Sequence, residues 1–156
     1  MELTFEPPIL VVDGDSQVRS LIRAILSKHG FPSVEACEGM SGLSTIQDMD
    51  GAISLIVSGL SMPGLDGAAF ARLVKTQFPN IPILLISGGT TGWDCLPGDA
   101  FLAKPFTPGA LAEAVHRLYK APSTQKRATA WTLHLNAYVN RRWHLHHNKK
   151  RFSQPG

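Results

Sequence analysis

Apolar residues along this chain follow two alternating rhythms. Short, mainly apolar runs rich in β-branched residues occupy positions 9–12, 53–57 and 81–86. Turn-formers such as Asp13-Gly-Asp15 and Pro79-Asn80 bound them, as expected of strands buried on both faces. Between these runs the apolar positions recur every three or four residues. Val18, Leu21, Ile22, Ile25 and Leu26 predict a helix capped by Ser16 and ended at His29-Gly30. A short strand is predicted over 33–36, and a second helix over about 41–49 with Leu43 and Ile46 facing inward. Asp66 caps a third predicted helix with Phe70, Leu73, Val74 and Phe78 on one face. A fifth strand over 101–103 and a last helix over 108–119 complete the series.

Strands that alternate with helices imply a parallel sheet covered on both faces. Right-handed crossovers and short connections favour a doubly wound α/β sheet of flavodoxin-like (βα)5 type, in strand order 2-1-3-4-5. In such a sheet the functional site lies at the carboxyl ends of the strands. Those ends are Asp13, Gly59, Ser87 and Lys104.

Composition narrows the class. Of 156 residues, 44% are apolar, enough for one core of ordinary size. No apolar run approaches the roughly 20 residues of a membrane span. The amino terminus lacks the basic start and apolar stretch of a signal peptide. Cys37 and Cys95 have no metal-ligand spacing and fit reduced thiols, so a cytoplasmic location is expected. Charge is divided unevenly. Residues 1–120 hold all 12 acids against 8 Lys and Arg, a net of −4, whereas residues 121–156 hold 7 Lys and Arg and no acid. Two regions are therefore expected: a domain over 1–120, and a basic linker and tail over 121–156, partly helical or disordered.

Four motifs in order give the domain its resemblance. They are Ile9-Leu-Val-Val-Asp-Gly-Asp15, Met62-Pro-Gly-Leu-Asp-Gly67, Ile86-Ser87-Gly88 and Phe101-Leu-Ala-Lys-Pro-Phe-Thr107. Together they resemble the receiver domain of response regulators of bacterial two-component phosphorelays, over about residues 7–120. Receivers attached to hybrid sensor histidine kinases are the most similar. The resemblance implies a pocket in which an aspartate three residues before Met-Pro accepts a phosphoryl group. It also implies paired acids after the first strand that hold magnesium, a Ser or Thr after the fourth, and a lysine after the fifth, usually followed by a cis peptide bond. Carboxylate attack on phosphorus makes an aspartyl phosphate, and magnesium and lysine offset the charge on the transferring oxygens.

The chain departs from that pattern. Gly59 stands at the acceptor position and has no side chain to phosphorylate. Gly14 stands where the second metal-binding acid is usual, leaving Asp13, with Asp15 one residue further on. No cofactor is expected, and magnesium binding at Asp13 and Asp15 is expected to be weak or absent. Ser58 is adjacent to the acceptor position, but side chains alternate along a strand and it should point away. Lys104 reads either as a relic phosphate ligand or as an ion-pair partner of Asp13. Pro105 would shape the loop in both cases. Ser87 and Phe101 occupy the family's switch positions, with a backbone hydrogen bond and a partly buried ring as the alternatives. Only twelve residues, 88–99, separate strands four and five, room for a turn or two where receivers place a full fourth helix. The usual dimer face is thereby put in doubt. Trp93 reads equally as a partner anchor and as cover for the sheet edge.

The tail stays open between three readings. Trp131, Leu135 and Tyr138 fall on one helical face, followed by Arg141-Arg-Trp-His-Leu-His-His-Asn-Lys-Lys-Arg151. The segment 126–151 is a solvated tail, a binder of nucleic acid or anionic membrane, or a strap that folds back on the acidic domain. His144, His146 and His147 lack acids or Cys nearby to complete a metal site.

The expected function is accordingly a non-enzymatic pseudo-receiver. It would bind a histidine kinase, a phosphotransfer protein or another signalling protein without being phosphorylated. The alternatives are a working phosphoacceptor that uses a non-standard residue, or binding of nucleic acid or membrane through the tail.

Overall fold

Ile9–Val12 form β1, and all four residues are fully buried, as a strand covered on both faces requires. The computed structural model describes residues 6–89 and 92–119; the expected tail over 121–156 lies outside them. Around β1 the chain lays out α1 (Ser16–Lys28), β2 (Ser33–Ala36), α2 (Gly39–Asp48), β3 (Leu55–Gly59), α3 (Gly67–Gln77), β4 (Ile83–Ser87), β5 (Ala100–Ala103) and α4 (Pro108–Leu118). The five strands are parallel in the order β2-β1-β3-β4-β5. Between β4 and β5 the described residues form one short 3-10 turn, Trp93–Cys95, and no full helix.

Strand alternation divides the core. Ile9, Val11, Val57, Leu84 and Ile86 meet Ile22 and Leu26 of α1 and Leu111 and Val115 of α4. Leu10, Val12, Ile56 and Leu85 meet Leu43 and Ile46 of α2 and Phe70 and Val74 of α3 on the other side. Truncating a fully buried ring such as Phe70 to alanine costs about 3–5 kcal/mol.

Several expectations shift in position. The third and fourth strands begin at Leu55 and Ile83, two residues later than predicted. Ile53 and Ile81 are buried, but in the turns that lead in; the ladder starts where Leu55 pairs with Ile9. Helix α1 is capped by Asp15, whose Oδ1 accepts from the Gln17 N–H at 2.8 Å, so Ser16 is the first helical residue. Helix α2 starts at Gly39, where Ser41 Oγ accepts from the Glu38 N–H at 3.3 Å. Leu21 and Leu73, placed on apolar faces by spacing, remain 51% and 38% exposed at the margins of those faces.

Candidate functional site

The loop after β1 carries the one buried acid among the described residues. Asp13 is 4% exposed. Its Oδ1 accepts from the Asp15 N–H at 2.9 Å, and its Oδ2 lies 3.3 Å from Lys104 Nζ. Arg19, one turn into α1, donates to the Asp13 carbonyl oxygen at 2.7 Å and faces Glu35 at 3.6 Å. The pairing of Arg19 with this loop was not anticipated from the sequence. The available signal was its place six residues after Asp13, on a turn of α1 that must pass over the end of β1.

Gly59 ends β3 beside Asp13. A Cβ at position 59 would sit 2.6 Å from Asp13 Oδ2 and 3.1 Å from its Cγ. The Asp13 carboxylate thus fills the space that a side chain on residue 59 would need. Gly14 is less confined: a Cβ there would meet the ring of Pro63, with Cδ at 3.2 Å and Cγ at 3.9 Å. Behind Gly59, the loop to α3 depends on a second glycine. Gly67 donates its N–H to the Leu60 carbonyl oxygen at 2.9 Å, and a Cβ on it would lie 2.2 Å from the Gly59 carbonyl oxygen. Gly64 turns the same loop with φ of +74°.

Two hydroxyls near the site make hydrogen bonds to the backbone. Ser58 is fully buried, and its Oγ donates to the Gly59 carbonyl oxygen at 3.0 Å. Ser87 Oγ accepts from the Gly89 N–H at 3.0 Å. Lys104 ties its backbone N–H to the Ser87 carbonyl oxygen at 2.8 Å and precedes a cis peptide bond to Pro105. Phe101, in β5, is half-buried and packs on the α2–α3 side of the core. Asp13, Gly14, Asp15, Gly59, Ser87, Lys104 and Pro105 are therefore gathered at the carboxyl end of the sheet, with Phe101 one layer below.

As a donor set for magnesium these residues fit poorly. The ion prefers octahedral oxygen ligands and usually takes one or two carboxylates with waters and phosphate. Here Asp13 holds a lysine and a backbone N–H, Asp15 caps α1, and positions 14 and 59 offer no side chain. Among the described residues no group of three His, Cys, Asp or Glu is placed to hold a metal ion.

Residues 9–116 match the response regulator receiver domain. The chain belongs to that family. This receiver is 30% identical over 122 residues to the sensor kinase CckA of Brucella abortus, covering 75% of this chain and 13% of that protein. It is 28% identical over 146 residues to SphR of Synechococcus elongatus, an alkaline phosphatase synthesis transcriptional regulatory protein, covering 81% of this chain and 57% of that one. The chain thus spans under two thirds of the length of these relatives. Among solved structures, the receiver domain of NtrX from Brucella abortus superposes with a TM-score of 0.63 at 30% identity, over 70% of this chain and 96% of that one. No helix among the described residues is long and apolar enough to cross a membrane.

Proposed function

We propose that this receiver serves two-component signalling as a cytoplasmic protein-binding module that works without phosphorylation. Its partner would be a histidine kinase, a phosphotransfer protein or another signalling protein. The observation that carries this reading is the pairing of Gly59 with Asp13. The acceptor position has no nucleophile, and the nearest carboxylate occupies the space an acceptor would need while its oxygens bind Lys104 and the Asp15 N–H. Lys104 then acts as a structural cation that keeps Asp13 in place, and magnesium binding at Asp13 and Asp15 is weak.

The rest of the pocket supports the same reading. Ser58 is sealed in the core with its hydroxyl donating to the backbone, so it does not stand ready as a substitute acceptor. The core pattern and the Lys104-Pro105 turn are intact, which keeps the surface of the fold available for contact.

Intact-mass measurement after incubation with acetyl phosphate and magnesium tests the proposal. The expected spectrum is unchanged. A stable gain of one phosphoryl group on the native chain would overturn it.

A further inference from the structure

The sheet is covered unevenly. On the α2–α3 side, the described residues of the connection between β4 and β5 contribute only one 3-10 turn. All four residues of the edge strand β5 are half-buried, whereas every residue of β1 and β3 is buried. Beside that turn runs an open groove of about 590 Å³, floored by Leu60, Met62, Pro63, Ala68 and Leu96 with Asp66 at its margin. Asp66 is exposed there, and Asp94, in the neighbouring 3-10 turn, is exposed as well.

The chain itself carries a segment of matching chemistry. Trp131, Leu135 and Tyr138 share one face of a predicted helix, followed by Arg141 and Arg142 and by no acid anywhere in 121–156. Reach is sufficient. Tyr119 lies beside Phe31 and Glu6, near the amino ends of the strands. The eleven residues 120–130 span roughly 35–40 Å when extended. A five-residue strand is only about 17 Å long, and passing from the α1–α4 side, where Tyr119 packs, to the α2–α3 side adds about 20 Å, two helix diameters. Tethering also raises the local concentration of the segment over that of any free partner.

We propose that residues 131–142 of this chain dock in the groove between α3 and Leu96. Their aromatic face would meet Leu60, Pro63, Ala68 and Leu96, and their arginines would meet Asp66 and Asp94. The segment supplies the helical layer that the short β4–β5 connection leaves out. This inference goes beyond the proposed function and does not depend on whether the domain is phosphorylated.

Cys95 is exposed next to Leu96 and provides a native reporter. In the full chain carrying Cys37→Ser, a single cysteine is introduced either by His134→Cys, at the flank of the aromatic face, or by Asn136→Cys, on the opposite side. Each chain is treated with a short flexible bismaleimide, and the intramolecular cross-link to Cys95 is quantified. The expected yield at 134 exceeds that at 136 by about fivefold, the ratio that a docking preference of roughly 1 kcal/mol gives. Ala68→Glu, which puts bulk and charge into the groove, should abolish the difference. Equal yields at the two positions, no cross-link at either, or an excess that survives Ala68→Glu would overturn the proposal. So would products that join two chains, which would assign the groove to a second copy. Loss of the cross-link on adding duplex DNA or anionic vesicles, with the excess at 134 present beforehand, supports docking that a polyanion displaces.

Discussion

Asp13 leans over Gly59: its Oδ2 lies 2.6 Å from the point a Cβ on residue 59 would occupy. Real Cβ contacts are not that short, so any side chain at 59 must displace a carboxylate that is 4% exposed and held from two sides. Gly59→Ala should therefore cost about 1–3 kcal/mol, the usual penalty for overpacking. Chemical denaturation with an unchanged m-value would report it. An unaltered midpoint would mean that Asp13 swings aside freely.

The same contact predicts a gain of chemistry when both missing acids are restored. In Gly14→Asp/Gly59→Asp, three carboxylates converge, and their repulsion should make the variant less stable than the native chain without a divalent ion. Magnesium should then stabilise the variant in proportion to its binding and leave the native chain almost unaffected. Acetyl phosphate with magnesium should add one phosphoryl group to the variant only. Failure to gain a magnesium response would show that the loop geometry, and not the absent acids, excludes the ion.

Lys104 and Asp13 link the ends of β5 and β1 across two intervening strands. Lys104→Met keeps the length of the side chain and removes its charge, leaving the buried carboxylate with the Asp15 N–H. Because the lysine is about a third exposed, water recovers part of the loss. We expect about 1–2 kcal/mol at neutral pH, below the 3–5 kcal/mol typical of a fully buried pair. The double variant Asp13→Asn/Lys104→Met should recover part of that cost, and a double-mutant cycle would isolate the coupling.

Element order and sheet topology were legible because consecutive apolar runs and three-four spacing are local signals. Ile9–Val12 and the Ile22, Ile25, Leu26 face needed nothing beyond the sequence around them. Strand starts were less legible. Ile53 and Ile81 are as apolar as their neighbours, and only the pairing partner decides that the ladder begins at Leu55 and Ile83. The residues of the pocket could be named from their motifs, but their use could not. Whether Asp15 faces the pocket or caps α1 depends on one torsion, and the cap prevails. The approach of Asp13 to residue 59 joins positions 46 apart and is visible only in three dimensions.

Two glycines of the β3–α3 loop should respond very differently to alanine. At Gly67 a Cβ would lie 2.2 Å from the Gly59 carbonyl oxygen and 2.7 Å from Leu60 Cα, both backbone atoms that cannot rotate away. Gly67→Ala should cost at least about 3 kcal/mol, or prevent folding, because the start of α3 must move off β3. Gly64 has open space around it but a φ of +74°. Gly64→Ala should cost about 1 kcal/mol from backbone strain alone. Thermal unfolding of the two variants would separate contact from conformation, and similar losses at both sites would contradict the close approach.

Tyr119 gives the fold a pH dependence at the alkaline end. Its hydroxyl donates to Glu6 Oε2 at 2.7 Å, and its ring lies 4.8 Å from that of Phe31. Burial, the hydrogen bond to Glu6 and the negative charge of Glu6 together raise the phenol well above its ordinary value near 10. A raised folded-state value means that the unfolded chain releases this proton first. The stability contributed by Tyr119 is therefore complete below pH ~10 and is lost as pH climbs from there toward the folded-state value. Tyr119→Phe keeps the ring against Phe31 and removes the proton. The variant should be less stable than the native chain at neutral pH, by about 1 kcal/mol for the lost hydrogen bond. Its denaturation midpoint should also fall less steeply than that of the native chain above pH ~10. Tyr138 is the other tyrosine of the chain and remains in both proteins, so the difference between their alkaline absorbance titrations belongs to Tyr119. Parallel stability profiles above pH ~10 would show that the bond to Glu6 does not hold the proton.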